Sequence, residues 1–135
     1  MRTVGARGAR VVAAALPQWL SGESATTLRR DADALVAPLR TELGVSSTGR
    51  LSPNRTYAQG DLDLWFAVSA FADNAAIYEQ IVRSGGNPDA AVLAGKALVN
   101  AARRVDTALP SARTSAQTQE AWTRVRRQLV TIENQ

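Results

Sequence analysis

The stretch that decides the fold is LDLWFAVSAFADNAAIYEQIV at residues 62–82, together with SGGNPD at residues 84–89. In the longer stretch, apolar side chains recur at alternating steps of four and three residues, which is the spacing of one side of an α-helix. These side chains are Leu64, Val68, Phe71, Ala75, Tyr78 and Val82. The apolar side is widened by Leu62, Trp65, Phe66, Ile77 and Ile81. The pattern predicts a helix that is the most buried one of the chain.

Both ends of this helix carry local signals. Thr56 followed by Gln59 is a capping-box pair, and it predicts that the helix begins after Thr56. At the other end, the two glycines of SGGNPD are expected to stop the helix. Asn87 before Pro88 is an N-cap followed by a proline in the first turn, so a further helix is predicted to begin at Pro88.

An earlier segment, from about Ser24 to Leu43, is also predicted to be helical and to end at Gly44. Its apolar side consists of Leu28, Ala32, Leu35, Leu39 and Leu43. Pro38 lies inside it and predicts a kink, because an interior proline removes a backbone hydrogen bond. A loop rich in Ser, Thr, Gly and Pro is predicted at 45–55.

The two C-terminal helices follow the same periodicity. The helix from Pro88 is expected to end before Pro110, and its apolar side is Ala91, Gly95, Leu98, Ala102, Val105 and Leu109. After a loop at about 110–113, the last helix repeats Trp122, Val125, Leu129 and Ile132. Long helices joined by mostly short loops favour antiparallel neighbours. We therefore predict an all-α, antiparallel up-and-down four-helix bundle, with residues 26–135 as a single domain.

Residues 1–25 have a different composition from the rest of the chain. A basic stretch with three arginines is followed by the largely apolar residues 11–20 and then by small polar residues. This is the order of a secretory signal peptide, although Pro17 interrupts the apolar run. The alternatives are a short extra N-terminal helix packed on the bundle and a disordered tail. The run is too short for a transmembrane span.

The residue types absent from the chain exclude several kinds of chemistry. It has no His, no Cys, and no Met except Met1. The chain therefore lacks the usual ligands of haem, zinc and ferritin-like di-metal sites and the usual bases for nucleophilic catalysis. Asp61 and Asp63 are two positions apart and point to different sides of a helix, so they do not form an acid/base pair. We expect no enzymatic activity and no cofactor.

The formal net charge of +4 is divided evenly between the leader and the remaining 110 residues. Fifteen of the sixteen basic residues are arginines. Several arginines gather in the C-terminal third and form a candidate face for an anionic partner: Arg103, Arg104, Arg113, Arg124 and Arg127, with Arg126 beside them. The alternative is a solvated face whose side chains cover apolar neighbours.

Three segments resemble a group of uncharacterised bacterial proteins typical of acidobacteria-like genomes. They are LRRDAD at residues 28–33, AARRVD at 101–106 and WTRVRRQL at 122–129. The last fits the W-x-x-[LV]-R-x-x-L ending of those proteins, and the resemblance covers about residues 27–133. It implies an export signal and a small helical body, and it implies no activity.

Two functional hypotheses follow. The first is a non-enzymatic helical bundle, periplasmic or secreted, that acts by contact with an unknown protein partner, by self-association or as a structural component of the envelope. The alternative is a cytoplasmic bundle that binds nucleic acid through the arginine face and the basic leader.

Overall fold

A computed structural model describes residues 21–45, 56–85 and 87–133 of the chain. Within these ranges, four α-helices are present: α1 (Gly22–Leu43), α2 (Gln59–Arg83), α3 (Pro88–Ala108) and α4 (Ala116–Glu133). A 3₁₀ turn at Leu109–Ser111 follows α3, and no strand occurs in the described ranges. The prediction of an all-α fold is confirmed.

The helices form a ring in which each packs against the next. α2 packs between α1 and α3, and α4 closes the ring against both α3 and α1. Arg29 near the start of α1 is bonded to Glu79 near the end of α2, at 3.0 Å. Glu42 at the end of α1 accepts a hydrogen bond from the backbone N–H of Ser115, which directly precedes α4. Neighbouring helices are therefore antiparallel, as the up-and-down prediction requires.

Most of the core consists of the predicted apolar sides of the four helices, although Val82 of the α2 side is only partly buried. All five residues of the α1 side and all four of the α4 side are buried. In the centre, the rings of Phe71 and Trp122 meet edge to face, with centroids 5.2 Å apart and planes at 84°. On α3 the predicted side is buried from Ala91 to Val105, whereas Leu109 in the 3₁₀ turn is only half-buried.

The predicted end of α1 at Gly44 and the predicted start of α3 at the Asn87 cap are both found. Gly44 adopts a left-handed conformation with φ of 71°, and the Val45 N–H donates to the Arg40 carbonyl at 2.9 Å. The side chain of Asn87 accepts the Asp89 N–H at 2.8 Å, which caps α3. α1 begins at Gly22, earlier than predicted, because Ser21 is its N-cap.

The predicted start of α2 was wrong. Thr56 precedes the helix, and the N-cap is Ala58, which makes no side-chain capping bond. Gln59 is the first helical residue, and its amide donates to Asp63 at 2.8 Å instead of returning to Thr56. The first turn is held by a tertiary contact, since Asp61 accepts the backbone N–H of Arg113 at 3.0 Å.

The predicted burial of α2 also needs correction. Phe66 and Ile77 were expected to widen its buried side, but they are 57% and 52% exposed. Phe66 follows the buried Leu64 by two positions. Side chains two positions apart in a helix point about 200° apart, so Leu64 and Phe66 cannot both face the core. Six of the 25 residues of α2 are buried, against seven of the 21 of α3, so α2 is not the most buried helix.

Most of the predicted leader lies outside the residues that the structure describes. Residues 1–20 lie outside the described residues, and so do 46–55 of the predicted loop. The last residues of the proposed 1–25 segment are described and belong to α1, where Ala25 is 1% exposed. The extra N-terminal helix and the signal peptide therefore stay predictions for residues 1–20.

Candidate interaction surface

The arginines of the predicted anionic-partner face are all exposed, but they lie on different sides of the bundle. Arg103 faces α4, where it forms a 3.6 Å ion pair with Glu133. Arg104 is turned about 100° from it around α3, toward the side of α2. Arg113 lies between the last two helices, and Arg124 and Arg127 lie on the outer side of α4. Their binding of an anionic partner stays a prediction.

Arg126, the sixth arginine of the cluster, holds α3 and α4 together. Its guanidinium bonds Asp106 of α3 at 3.2 Å and Glu133 of α4 at 3.0 Å. The hydrogen bond from Arg126 is the main cause that lowers the pKa of Glu133 below its ordinary value. Together with Arg103, this network pairs two arginines with two carboxylates, so it offers little uncompensated charge to an external anion.

A cleft of about 620 Å³ opens between the start of α1 and the end of α4. The ring of Tyr78 lies at its base, and burial raises the pKa of that phenol to about 12. Its rim is mostly polar and includes Ser24, Thr27 and Gln128. The Gln128 amide donates to Asp31, so part of this rim is already satisfied by contacts between α1 and α4.

A second groove, of about 390 Å³, lies between α1 and α2. Arg40, Trp65 and Asp73 are among its lining residues. The Nε atom of Arg40 is buried and makes no hydrogen bond to any described residue. Arg40 as a whole residue is partly exposed.

The most apolar exposed surface lies on the outer side of α2 and α3, next to this groove, and Asp73 lies at the boundary between the two. We define the outer α2–α3 face by Phe66, Ala70, Asp73 and Ile77 of α2 with Leu93, Ala97 and Arg104 of α3. Phe66, Ile77 and Leu93 are three of the four large apolar residues that are exposed in the described part of the chain, and Leu93 is 66% exposed. The fourth, Val130, lies on α4, away from this face.

The residues of this face repeat with matching spacing on the two helices. Phe66 and Ile77 are eleven residues apart, and so are Leu93 and Arg104. Eleven residues are about three helical turns, so each pair shares one side of its helix. Its charges are Asp73 on α2 and Arg104 on α3, and neither forms an ion pair with a described residue.

The chain matches no protein-family model, no curated protein and no solved structure. In the described ranges, no three potential metal-ligating side chains come close enough to hold an ion. None of the helices in those ranges is long and apolar enough to span a membrane.

The sequence contains a signal for this face, which is the position of Phe66 and Ile77 relative to the buried side of α2. Phe66 and Ile77 were grouped with the buried side of α2 because they are apolar, yet their three-turn spacing is offset from that of Leu64, Phe71 and Tyr78. An ordinary surface helix carries a single apolar stripe that faces the core, so apolar residues on a second side of α2 are a departure from that pattern. Leu93 lies outside the apolar side predicted for its helix and was not singled out.

Proposed function

We propose that this protein is a non-enzymatic helical bundle, exported from the cell, that acts by protein–protein contact through the outer α2–α3 face. The observation that carries the proposal is the exposure of Phe66, Ile77 and Leu93. Helix geometry places them on one side of α2 and α3, with Ile77 and Leu93 side by side and Phe66 about three turns away. Burying a fully exposed side chain of this size contributes about 1.5–3 kcal/mol, and covering the exposed half or two-thirds of each of these three contributes about that fraction of it. A partner that covered all three would gain a substantial part of a specific binding free energy.

The grouping matters more than the exposure itself. Single exposed apolar side chains such as Val130 are ordinary on protein surfaces, whereas contiguous apolar patches mark contact sites. Alanines at positions 70 and 97 lie between the large side chains and leave the backbone of both helices accessible to a partner. The two charged residues of the face, Asp73 and Arg104, carry opposite charges.

Export is proposed on the order of the leader, which is basic, then apolar, then small and polar. The resemblance to exported helical proteins agrees with it. The test is mass spectrometry of the protein recovered from the cells that make it, after fractionation. A shortened N-terminus in the periplasmic or secreted fraction is expected, and an intact Met1–Gln135 chain in the cytoplasm would remove export from the proposal.

The contact function is tested by photo-crosslinking in the same cells. A photoreactive benzoylphenylalanine replaces Leu93 on the outer α2–α3 face in one strain and Val130 on α4 in another. Both positions are exposed and apolar, so the substitutions perturb folding equally little. A defined crosslinked protein at position 93 and none at position 130 is expected. Equal crosslinking at both positions, or none at either, contradicts the proposed function.

The nucleic-acid alternative has less support from the geometry. Arg103 and Arg126 are engaged with Glu133, and the other arginines of the predicted face are spread over two sides of the bundle. A phosphate-binding surface needs several uncompensated cations on one side. Retardation of DNA or RNA at about 50 mM salt that weakens steeply as salt rises would restore this alternative.

A further inference from the structure

We propose that the occupant of the outer α2–α3 face is a second copy of this chain, related by a two-fold axis parallel to the helices. This inference rests on the proposed function and specifies its partner. In such a dimer, α2 of each copy packs against α3 of the other. The four helices of the two faces then form an antiparallel bundle of their own.

The register of α2 and α3 carries this inference. The two helices are antiparallel and are joined between Arg83 and Pro88, so Ile77 and Leu93 lie at the same level, six and five residues from the connection. Phe66 and Arg104 lie together three turns further along. A contact between Gly60 and Ser111 at the far end keeps the helices in this register.

A two-fold axis parallel to the helices leaves the height of each residue along the bundle unchanged. Residues at the same height in the two copies therefore face each other. Ile77 of one copy then meets Leu93 of the second, an apolar pair at one end of the interface. At the other end, Phe66 meets Arg104, whose guanidinium has no partner among the described residues. An arginine over an aromatic ring is a favourable contact. Each pairing occurs twice, as an isologous interface requires.

The other two-fold arrangement is unfavourable on the same evidence. An axis perpendicular to the helices would pack α2 against α2 and α3 against α3. Asp73, near the middle between Phe66 and Ile77, would then lie close to its own copy, and like charges repel. Leu93 would meet Arg104 instead of an apolar side chain. The perpendicular axis would also bring Phe66 against Ile77, so the repulsion between the two Asp73 carboxylates is what favours the parallel axis.

The size of the face indicates a reversible dimer. Eleven residues span about 17 Å along a helix. A two-helix face of this length buries on the order of 1,000 Å² in total, which is at the small end for specific interfaces. We expect a dissociation constant in about the micromolar range.

The first test is the mass of the full chain in solution, by sedimentation equilibrium over about a hundredfold range of concentration. The mass is expected to rise from 14.4 kDa toward twice that value. Leu93→Glu is expected to raise the dissociation constant at least about tenfold, since it buries a charge against Ile77. Val130→Glu, a matched change of an exposed apolar residue on α4, leaves it unchanged. A monomer at all concentrations, or equal effects of the two variants, overturns the inference.

The second test fixes the arrangement and uses the absence of cysteine from the chain. Purified Ile77→Cys and Leu93→Cys proteins are mixed and oxidised, and the expected product is a disulfide between the two variants. Only the parallel axis brings these positions within disulfide reach across the interface. A disulfide that forms instead between Phe66→Cys and Ile77→Cys proteins overturns the proposed axis.

The two proposals fail in distinguishable ways. If position 93 crosslinks to a different protein in cells while the purified chain stays monomeric, the contact function stands and the second copy is wrong. If the purified chain dimerises through another surface and position 93 crosslinks to nothing, both are wrong. Circular dichroism of each variant confirms that the helical fold is retained, because the substituted side chains are exposed.

Discussion

The indole N–H of Trp122 donates a hydrogen bond to Oδ1 of Asp106 at 2.8 Å. The other carboxylate oxygen of Asp106 is 3.2 Å from Nε of Arg126. One acidic side chain of α3 therefore satisfies both a buried aromatic donor and a partly buried cation of α4. Since α3 and α4 are joined by a short connection that contains a 3₁₀ turn, this carboxylate fixes how the last helix closes the bundle.

Removal of this carboxylate is expected to destabilise the protein. Asp106→Ala leaves the Trp122 N–H and the Arg126 guanidinium each short of a partner. We expect a loss of about 1–3 kcal/mol in the free energy of unfolding, as for other hydrogen bonds to charged groups. The measurement is urea denaturation followed by tryptophan fluorescence. Glu120→Ala, which removes an exposed carboxylate of α4 without an ion pair in the described ranges, is the control and should change stability by no more than about 0.5 kcal/mol.

The start of α4 provides a second prediction. Ser115 caps the helix by accepting the Thr118 N–H at 3.2 Å, and Glu42 of α1 accepts hydrogen bonds from both the Ser115 and the Thr118 hydroxyls. Ser115→Ala should cost about 1 kcal/mol through the lost cap. In a double-mutant cycle with Glu42→Gln, we expect a coupling of about 0.5–2 kcal/mol. If the losses in the free energy of unfolding of the two single variants simply add in the double variant, Glu42 of α1 does not support this cap.

A third prediction concerns Gly60 in the first turn of α2. A Cβ atom at Gly60 would overlap the carbonyl oxygen of Ser111 and lie 2.8 Å from its carbonyl carbon. Gly60→Ala should therefore destabilise by about 1–3 kcal/mol, despite the better helix propensity of alanine. At Gly22 the added atom would meet only the flexible side chain of Arg83, at 3.3 Å. Thermal unfolding should separate the two variants, and equal midpoints would place Ser111 elsewhere.

Stability should also fall in acid. The pKa of Glu133 is lowered by the hydrogen bond from Arg126, and that of Glu79 by hydrogen bonds from Thr26 and Arg29. A carboxylate whose folded pKa is below its unfolded value stabilises the fold above the unfolded pKa, here 4.5, and this contribution is lost as pH falls through the folded pKa.

The measurement for this prediction is the urea midpoint as a function of pH from 7 down through 4.5 and below. The midpoint of the wild type should drop in this window, and the drop should be smaller for a Glu79→Gln, Glu133→Gln double variant. Glu120→Gln, which changes an exposed carboxylate of α4, is the control and should keep the drop of the wild type. A double variant with an undiminished drop would assign the acid sensitivity to other groups.

The parts of the structure that followed from the sequence are those set by local patterns. At the SGGNPD boundary, Gly85 adopts a positive φ of 66° and Asn87 caps α3, and both features depend on adjacent residues only. The apolar sides of α1 and α4 were predicted correctly because each helix faces the core on one side. Trp122 was correctly predicted to be buried for the same reason.

The parts that did not follow depend on contacts between distant residues. Thr56 looked like a cap, but Asp61 and Arg113 hold the first turn of α2 from across the bundle. The arginine cluster looked like one surface, but Arg126 is drawn inward by acids on two helices. Phe66 was predicted to be buried because it is hydrophobic. Leu64, two positions earlier, faces the core, so Phe66 faces away from it.

The most direct test of the contact surface is the reactivity of a single cysteine in the native extract. Leu93→Cys on the outer α2–α3 face and Thr123→Cys on the exposed side of α4 are each labelled with a maleimide, in extract and after purification and dilution. A covered face predicts slow labelling of Leu93→Cys in extract and fast labelling on dilution, with Thr123→Cys fast in both. Equally fast labelling of both positions in extract would contradict the account.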